Sequence, residues 1–379
     1  MQIFTKKGRG RMATKKVQSK PTVKTKKKKK AKNSNKRIFL FVAEMIILVI
    51  LLVVLYMVLK ADKVNKISID KENIVVNETV ENNVTLKGYR NIALFGVDAR
   101  DKSLGKGNRT DTIMIASVNQ ETGDIKLVSV YRDTYLNLGN DTYNKCNAAY
   151  AKGGPEQAIN MLNMNLDLNI EDYVTVGFTG LMETIDAIGG IEIEILEDEI
   201  RHLNNYQISM VGTSTDGKTF TATEGKDYTA VTHAGRQTLN GLQATAYCRV
   251  RQVGDDFMRA QRQRDVLTAI MEKAKEASPA TLNKILDKVL PYVSTSLDVD
   301  EMVEVLGEVN KYNIVAKDGF PFEQYRTTGN LGSKGSCVIP VDLKANVVEL
   351  HNFLFESEEY EISSEVMSYS QKISADTGR

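Results

Sequence analysis

The densest group of side chains capable of chemistry in this 379-residue chain lies in residues 246–265, AYCRVRQVGDDFMRAQRQRD. This segment carries five arginines and an acidic pair between an apolar run and a predicted helix. Arg249 and Arg251 are two residues apart at the end of a β-like run, so a continuing strand would point both side chains to one face of a sheet. Guanidinium groups bind phosphate oxygens in a bidentate geometry. The segment therefore indicates a site for a polyanionic group.

The predicted helix that follows has a face of changing character. Asp256, Arg259 and Gln263 recur at helical spacing and share this face. On the next turns the same face becomes apolar, at Leu267, Ile270 and Ala274. A cationic helix N-terminus followed by an apolar surface suits a ligand with a phosphate head and a hydrocarbon tail. The alternative is a solvated, salt-bridged helix face, which is the common role of arginines on a helix.

Charged residues also lie at the ends of three predicted strands. Asp98 ends the first strand, Arg109 and Asp111 precede the second, and Arg132-Asp133 ends the third. Open α/β sheets bind ligands at such strand ends. Asp98 and Asp111 together could hold Mg²⁺, which takes one or two carboxylates along with waters and ligand phosphates. The alternative for both aspartates is a local role in capping a turn.

The chain lacks the residue patterns of several catalytic classes. It contains no GxSxG sequence and no glycine-rich phosphate-binding loop. The histidines and cysteines show no metal or redox spacing; they are His202, His233 and His351, and Cys146, Cys248 and Cys337. We expect buried free thiols, with a disulfide between the first two cysteines as the alternative. An enzyme of this composition is expected to use metal and arginine electrostatics on a phosphorus centre, with the attacking hydroxyl supplied by a second substrate.

Sequence periodicity predicts the elements that must position these residues. Strands are predicted at residues 91–97, 112–119, 125–131, 173–178 and 191–195, with the second and third forming a hairpin. Helices are predicted at residues 155–162, 181–188, 265–277, 281–290 and 299–309. Strands interleaved with helices predict an α/β fold with a mixed central sheet flanked by helices on both faces.

The net charge of +2 conceals an uneven distribution. Residues 1–37 carry 16 Lys and Arg and no acidic residue, which leaves 34 basic and 48 acidic residues in the remainder. An acidic folded part argues against nucleic acid as a partner, because the folded domain of a nucleic-acid binder is expected to be basic. Residues 1–37 are predicted to be a disordered basic arm that can lie on anionic lipid.

An apolar run of 22 residues with one ionisable group occupies residues 38–59. This length suffices to cross a bilayer as a helix, and the lysine-rich flank places the arm in the cytoplasm and the rest of the chain outside. A cleaved signal peptide is the alternative, but no small-residue cleavage site follows the run. The chain is thus predicted to be a single-pass cell-membrane protein. Its outer part is predicted to comprise a stalk at residues 60–88, a folded domain at residues 89–356 and a loose tail at residues 357–379.

Four separated segments resemble, in order and spacing, the LytR-CpsA-Psr family of cell-wall glycopolymer ligases. They read NIALFGVDAR, RTDTIMIASVNQETGDIKLVSVYRDTY, YNKCNAAYAKGGPEQAI, and GRQTLNGLQATAYCRVR followed by DDFMRAQRQR. The resemblance covers residues 89–356 and implies an αβα catalytic domain. It further implies a phosphotransferase that moves a glycopolymer, such as teichoic acid or capsular polysaccharide, from undecaprenyl pyrophosphate to a peptidoglycan hydroxyl and leaves lipid phosphate.

The resemblance also implies roles for individual residues. Asp98 and Asp111 match the acidic pair that binds Mg²⁺, with Mn²⁺ as a substitute, together with the pyrophosphate. The arginines around the pyrophosphate match Arg109, Arg132, Arg249, Arg251 and Arg259, and the site is completed by Gln263 and Asp256. Arg132, Asp98 and Arg259 are expected to be catalytic. The lipid tail is expected to enter an apolar tunnel between sheet and helices.

Three positions depart from the family pattern. Tyr131 stands where proline is common before Arg-Asp, and Met258 stands where glycine often precedes the arginine. Cys146 replaces a residue that is usually aliphatic. None of these departures removes a charged site residue.

Two other functions remain compatible with the same residues. One is a pyrophosphatase that acts on polyprenyl pyrophosphate with water as the acceptor. The other is a non-enzymatic membrane protein that binds lipid-linked glycan or regulates transcription.

Overall fold

The computed structural model describes residue 67 and residues 69–99 and 103–379. The strands are β1 (Tyr89–Val97), β2 (Thr110–Asn119), β3 (Asp124–Val130), β4 (Tyr135–Asn137), β5 (Tyr143–Lys145), β6 (Asp172–Gly177), β7 (Ile191–Ile195), β8 (Gly235–Leu239), β9 (Val293–Thr295), β10 (Asn313–Phe320), β11 (Arg326–Asn330) and β12 (Ser336–Pro340). The α-helices are α1 (Glu78–Glu81), α2 (Asn147–Leu166), α3 (Phe178–Ala187), α4 (Glu197–Val211), α5 (Gly241–Tyr247), α6 (Asp256–Lys275), α7 (Pro279–Val289), α8 (Val299–Gly307), α9 (Leu343–Phe355) and α10 (Ser364–Thr377).

A six-stranded mixed sheet in the order β10-β3-β2-β1-β6-β9 forms the centre of the fold. Strand β1 pairs antiparallel with β2 and parallel with β6, and β3 pairs parallel with β10. Smaller two-stranded sheets join β4 with β5, β7 with β8, and β11 with β12. The predicted fold class, a mixed central sheet flanked by helices, is confirmed.

The central sheet separates two apolar layers. On one face, Phe95 and Ile115 pack into the main core together with residues of α2, α9 and α10. On the other face, Leu127 packs with Leu267 of α6. Alternation along each strand directs neighbouring side chains to opposite layers, so the two sets come from the same strands.

The predicted strands that correspond to β1, β2, β3, β6 and β7 are confirmed, and so is the hairpin between β2 and β3. The predicted helices are present, but several are longer than the periodicity indicated. Helix α2 bends at Gly154, which has a φ of +73° and precedes Pro155. The helix predicted from the sequence began only at Pro155, because the segment before the bend lies on a different helical axis.

The C-terminal segment differs from the expected loose tail. Residues Ser364–Thr377 form α10, and the Ser363 side chain caps its N-terminus. The helix buries Val366 and Ile373 in the main core. Two apolar residues seven apart lie on one helical face, so a segment with few apolar residues still packs. Within the segment predicted as a stalk, Val80 and Leu86 are also buried in this core.

The predicted arm at residues 1–37 and the predicted membrane span at residues 38–59 lie outside the described residues. Among the helices that the structure does describe, none combines the length and the apolar character needed to cross a bilayer.

Candidate active site

A cavity of about 580 Å³ lies between the central sheet and helices α3, α5 and α6. Its apolar wall comes from half-buried or buried residues of β1, β2, β6, α3 and α6, namely Leu94, Met114, Val174, Val176, Leu181, Leu267 and Ile270. Charged and polar residues line the same cavity, namely Asp98, Asp111, Arg132, Arg249, Arg251, Arg259 and Gln263. One cavity therefore combines cationic groups with an apolar surface.

Helix α6 carries both kinds of residue on one face, as its spacing indicated. Arg259 and Gln263 line the charged part, and Leu267 and Ile270 continue the same face into the apolar part. The helix begins at Asp255, whose carboxylate accepts hydrogen bonds from two backbone N–H groups of the first turn. This cap fixes the start of the helix and with it the position of the first charged residues.

A β-bulge places Asp111 in the site. The register of β1 and β2 shifts because Gly96 pairs with Thr112 while Val97 pairs with Thr110, which leaves Asp111 without a partner residue on β1. A bulge re-aims a side chain that regular alternation would direct elsewhere. The Asp111 side chain reaches Arg132, whose Nη1 donates to Oδ1 at 2.5 Å.

Arg132 follows β3 and is surrounded by carboxylates. Burial lowers the pKa of Arg132, but the neighbouring carboxylates, chiefly Asp256 and Asp111, outweigh burial and raise the pKa. Its Nε is buried and has no hydrogen-bond partner among the described residues. Arg132 therefore stays fully charged and retains a donor for a further acceptor.

Arg259 is almost completely buried, with 3% of its side chain exposed. Its Nη2 donates to Asp256 at 3.0 Å and to the backbone oxygen of Asp111 at 3.3 Å, whereas its Nε and Nη1 have no partner in the described part of the chain. Burial lowers the pKa of Arg259 to about 10, against the opposing effect of Asp256. A buried guanidinium with two unpaired donors is costly unless an anion binds it.

The Arg249 guanidinium contacts two aromatic rings. Its guanidinium carbon lies 4.7 Å from the centroid of Phe178 and 5.3 Å from the centroid of Tyr206. The buried Nη1 of Arg249 has no hydrogen-bond partner among the described residues. The rings therefore fix the plane of the guanidinium without using its donors.

The β-like run before Arg249 was predicted wrongly, because residues Gly241–Tyr247 form helix α5. Asn240 and Gln243 cap this helix reciprocally through side-chain and backbone hydrogen bonds. The Asn-x-x-Gln spacing was the signal that could have identified the helix, since this pattern is typical of a capping box. Arg249 and Arg251 follow the helix and still line the cavity.

Two predicted site residues do not line the cavity. Arg109 is exposed and immediately precedes β2. Asp256 contacts the site indirectly, through its ion pair with Arg259 and its 3.7 Å approach to the Nε of Arg132. The structure brings the other seven predicted residues to one cavity.

Comparison with known proteins identifies the family of this fold and site. The model of the LytR_cpsA_psr family matches residues 51–347. This chain belongs to the LytR_cpsA_psr family.

Among its relatives is the polyisoprenyl-teichoic acid–peptidoglycan teichoic acid transferase TagU of Enterococcus faecalis, which is 30% identical over 63% of this chain and 72% of the relative. The protein of the same name from Oceanobacillus iheyensis is 33% identical over 57% of this chain and 61% of the relative. TagT of Bacillus subtilis is 28% identical over 61% of this chain and 63% of the relative. This chain thus spans less than two thirds of the length of the last two.

Solved structures of similar proteins share the fold. A structure described as TagT bound to LIIa-WTA has a TM-score of 0.54 and 18% identity, over 80% of this chain and 97% of that chain. A structure of TagT with bound octaprenyl pyrophosphate lipid has a TM-score of 0.51 and 19% identity, over 74% and 96% of the two chains. A structure from Enterococcus faecalis described as a transcriptional regulator has a TM-score of 0.54 and 26% identity, over 77% and 95%.

Arg262, one of the five arginines of residues 246–265, has a structural role that the sequence did not distinguish from the role of the site arginines. It is 2% exposed and donates to Glu199 at 2.7 Å and to the backbone oxygens of Val250 and Val253. These bonds hold the loop between α5 and α6, which carries Arg249 and Arg251. Arg262 therefore positions the site residues from outside the cavity.

Asp98 and Asp111, the two carboxylates predicted to bind metal, both line the cavity. Asp98 is exposed at the end of β1, and Asp111 is the bulged residue of β2. Within residues 67, 69–99 and 103–379, no three His, Cys, Asp or Glu side chains are grouped as a metal site. Two carboxylates fit a hard cation that takes its other ligands from water and phosphate.

The three cysteines are free and buried, as expected, so the alternative disulfide is not formed. Burial raises the pKa of Cys248 to about 12 and also raises the pKa of Cys146. The Sγ of Cys146 donates to the backbone oxygens of Tyr131 and Arg132. These thiols are protonated at neutral pH and cannot act as nucleophiles there.

Proposed function

We propose that this protein is a transferase that moves a glycopolymer from undecaprenyl pyrophosphate to a hydroxyl of peptidoglycan. The observation that carries the proposal is the single cavity in which cationic groups adjoin an apolar wall. A polyprenyl pyrophosphate has the matching chemistry, since its head is a polyanion and its tail is a hydrocarbon. The relatives named above are teichoic acid transferases, which supports the same class of donor and acceptor.

The unpaired guanidinium donors support binding of the pyrophosphate oxygens. Counted over the described residues, Arg259 has two such buried donors, and Arg132 and Arg249 have one each. In the proposed reaction the acceptor hydroxyl attacks the phosphorus next to the sugar, and a phosphodiester forms as polyprenyl phosphate leaves. The arginines stabilise the charge that develops on the non-bridging oxygens and on the leaving phosphate. Their donors are already buried and oriented, so little reorganisation is needed during the reaction.

The apolar wall is proposed to hold the first isoprene units of the donor. Leu267 and Ile270 continue the face of α6 that begins with Arg259, so the wall starts next to the proposed phosphate site. The remaining tail would lie in the membrane, to which the predicted span at residues 38–59 anchors the protein. Protease added to intact spheroplasts should digest the part after Lys60 and spare the basic arm. Digestion of the arm instead would contradict this orientation.

Asp98 and Asp111 are proposed to hold Mg²⁺, with Mn²⁺ as a substitute. When bound, such an ion offsets negative charge on the pyrophosphate. Asp111 accepts a hydrogen bond of 2.5 Å from Arg132 through its Oδ1, so its Oδ2 is the oxygen proposed to bind the cation. Arg132 is proposed to donate to the pyrophosphate through its Nε, which has no hydrogen-bond partner among the described residues.

The deciding experiment uses a labelled polyprenyl-pyrophosphate-linked glycopolymer, with and without peptidoglycan. We expect label to appear on peptidoglycan and polyprenyl phosphate to be released only when the acceptor is present. Release without acceptor would favour a pyrophosphatase, and binding without turnover would favour a non-enzymatic glycan-binding protein. Arg259→Ala should abolish transfer, whereas Arg236→Ala, at a 74% exposed position on β8, is the matched control and should leave transfer unchanged.

A further inference from the structure

Tyr131 lies directly before Arg132 and is 5% exposed. We propose that Tyr131 is a positioning residue that holds Arg132 and the first turn of α6 in a fixed arrangement, and that this role depends on the absence of a side chain at Gly319. The inference rests on the proposed function because it concerns the same site.

The Tyr131 ring packs on the first turn of α6. Its centroid lies 4.5 Å from that of Phe257 at an interplanar angle of 76°, which is an edge-to-face contact. Phe257 lies between Asp256 and Met258 and two residues before Arg259. A shift of the Tyr131 ring therefore moves the turn that carries two charged residues of the site.

Arg326 closes the other side of this aromatic pair. Its guanidinium carbon lies 3.9 Å from the Phe257 centroid and 5.1 Å from the Tyr131 centroid. Its Nη1 donates to the Tyr131 hydroxyl at 3.2 Å and to the backbone oxygen of Pro321 at 3.2 Å. The cation thus links the ring pair to the end of β10.

The backbone of Tyr131 fixes the peptide that leads into Arg132. The Tyr131 N–H donates to the backbone oxygen of Phe320 at 2.9 Å. The Tyr131 oxygen accepts from the Thr134 N–H at 2.8 Å, from the Thr134 hydroxyl at 2.6 Å and from the Cys146 thiol at 3.2 Å. The bond to Phe320 needs a backbone N–H, which every residue except proline provides. This chain therefore ties the arginine-bearing turn to β10 directly.

Gly319 leaves the space that the Tyr131 ring occupies. A Cβ at residue 319 would overlap the hydroxyl oxygen and Cζ of Tyr131. Residue 319 does not have a positive φ, so its backbone conformation does not require glycine. Glycine is required there because a side chain would clash with the Tyr131 ring. Tyr131 and Gly319 are thus complementary across β3 and β10, which pair in parallel.

Four variants test the coupling, with farnesyl pyrophosphate affinity and transfer both measured on folded protein. Tyr131→Leu and Gly319→Ala should each weaken affinity and lower kcat by about tenfold, because a displacement of about 1 Å in a catalytic group has effects of this order or larger. Adding Gly319→Ala to Tyr131→Leu should have no further effect, since the shorter side chain no longer meets the added methyl group. Tyr131→Phe keeps the ring and should restore most of both quantities.

Tyr360→Leu is the matched control, because it removes another buried tyrosine ring, 7% exposed in the main core and outside the cavity lining. It should lower thermal stability and leave affinity and kcat unchanged. Equal effects of Gly319→Ala in both backgrounds, or unchanged affinity in folded Tyr131→Leu, would overturn the proposal. If Tyr131→Leu does not fold, Arg326→Gln is the deciding variant. Arg326 is half-buried, and its loss removes the cation that holds the Tyr131 and Phe257 rings, so the affinity for farnesyl pyrophosphate should weaken about threefold. Unchanged affinity would overturn the proposal.

The two readouts separate this inference from the proposed function. If the wild-type protein binds farnesyl pyrophosphate but transfers no glycopolymer, the proposed function fails. The coupling between residues 131 and 319 can then still be judged from farnesyl pyrophosphate affinity alone, measured for the wild type, Tyr131→Leu, Gly319→Ala and the double variant.

Discussion

The Nη1 of Arg132 donates to the Oδ1 of Asp111 at 2.5 Å, so a residue proposed for the pyrophosphate and a residue proposed for the cation bind each other in the ligand-free site. The Asp111 carboxylate comes from a bulge in β2, and Arg132 follows β3, the next strand of the same hairpin. The two side chains are 19% and 26% exposed, so solvent screens part of the attraction between their charges. The pair therefore places the proposed pyrophosphate site next to the proposed cation site.

This pairing leads to a prediction about metal dependence. Because Asp111 is engaged by Arg132, the ligand-free protein should bind Mg²⁺ weakly, and the donor complex should bind it much more tightly. A chelator should stop transfer, and Mg²⁺ or Mn²⁺ should restore it. Asp98→Asn and Asp111→Asn should lower transfer at saturating metal with little change in Tm.

Glu194→Gln, at an exposed position on β7, is the control for loss of one carboxylate charge. Full transfer in excess chelator would rule out the metal. Unfolding of both aspartate variants would instead show that the pair is structural.

A second prediction concerns the geometry of the Arg132 guanidinium. Arg132→Ala should lower kcat/KM about a hundredfold, which is the usual loss when one oriented donor to a transition state is removed. Arg132→Lys should recover only part of this loss, because an ammonium group cannot reproduce the planar fork of donors. Circular dichroism should show an unchanged fold in both variants. Transfer by Arg132→Ala at the wild-type rate would remove Arg132 from the site.

A third prediction separates stability from activity at Arg259. Burial lowers the pKa of Arg259 to about 10, below its ordinary value of 12.5, so the folded state disfavours the charged form. Burying the charge therefore costs stability at neutral pH, on the order of 3 kcal/mol. Arg259→Met keeps the length of the side chain without the charge, so its Tm should equal or exceed that of the wild type while transfer is lost. A Tm lower by more than about 5 °C would show that Arg259 supports the fold.

Regular spacing allowed part of the site to be predicted from the sequence. Asp256, Arg259 and Gln263 share a face of α6 because helical periodicity depends only on position along the chain. The strands β1, β2 and β3 were predicted for the same reason, since their apolar patterns are local.

Other parts of the site depend on long-range packing, which spacing does not encode. The bulge at Asp111 arises from the register between two strands, and the placement of Arg249 depends on rings from α3 and α4. The five arginines of residues 246–265 also looked alike in sequence. Only burial and contacts distinguish Arg262, which holds a loop, from Arg259, which has two donors without a partner among the described residues.

The last prediction concerns acid stability and His351, a residue of α9 that is completely buried. Its Nε2 donates to the backbone oxygen of Leu166 at 3.1 Å, and its ring stacks on Tyr360 with centroids 3.5 Å apart. Burial lowers the pKa of His351 to about 4, although the backbone hydrogen bonds oppose the shift. The ordinary histidine pKa of 6.5 applies to the unfolded chain, so between pH 6.5 and 4 the unfolded state binds a proton that the folded state does not.

The free energy of unfolding should therefore fall as the pH drops from 6.5 to 4, and His351 should account for about 3 kcal/mol of the loss. His351→Phe keeps a stacked ring but cannot titrate, so its stability should fall less over this range, even though it starts lower at pH 7 because the Leu166 oxygen loses its donor. Urea unfolding at pH 7, 5.5 and 4 measures the difference. His233→Asn, at an exposed position, should retain the wild-type dependence. Parallel curves for wild type and His351→Phe would show that His351 is not the group that makes folding sensitive to acid, because all other titrating groups are the same in the two proteins.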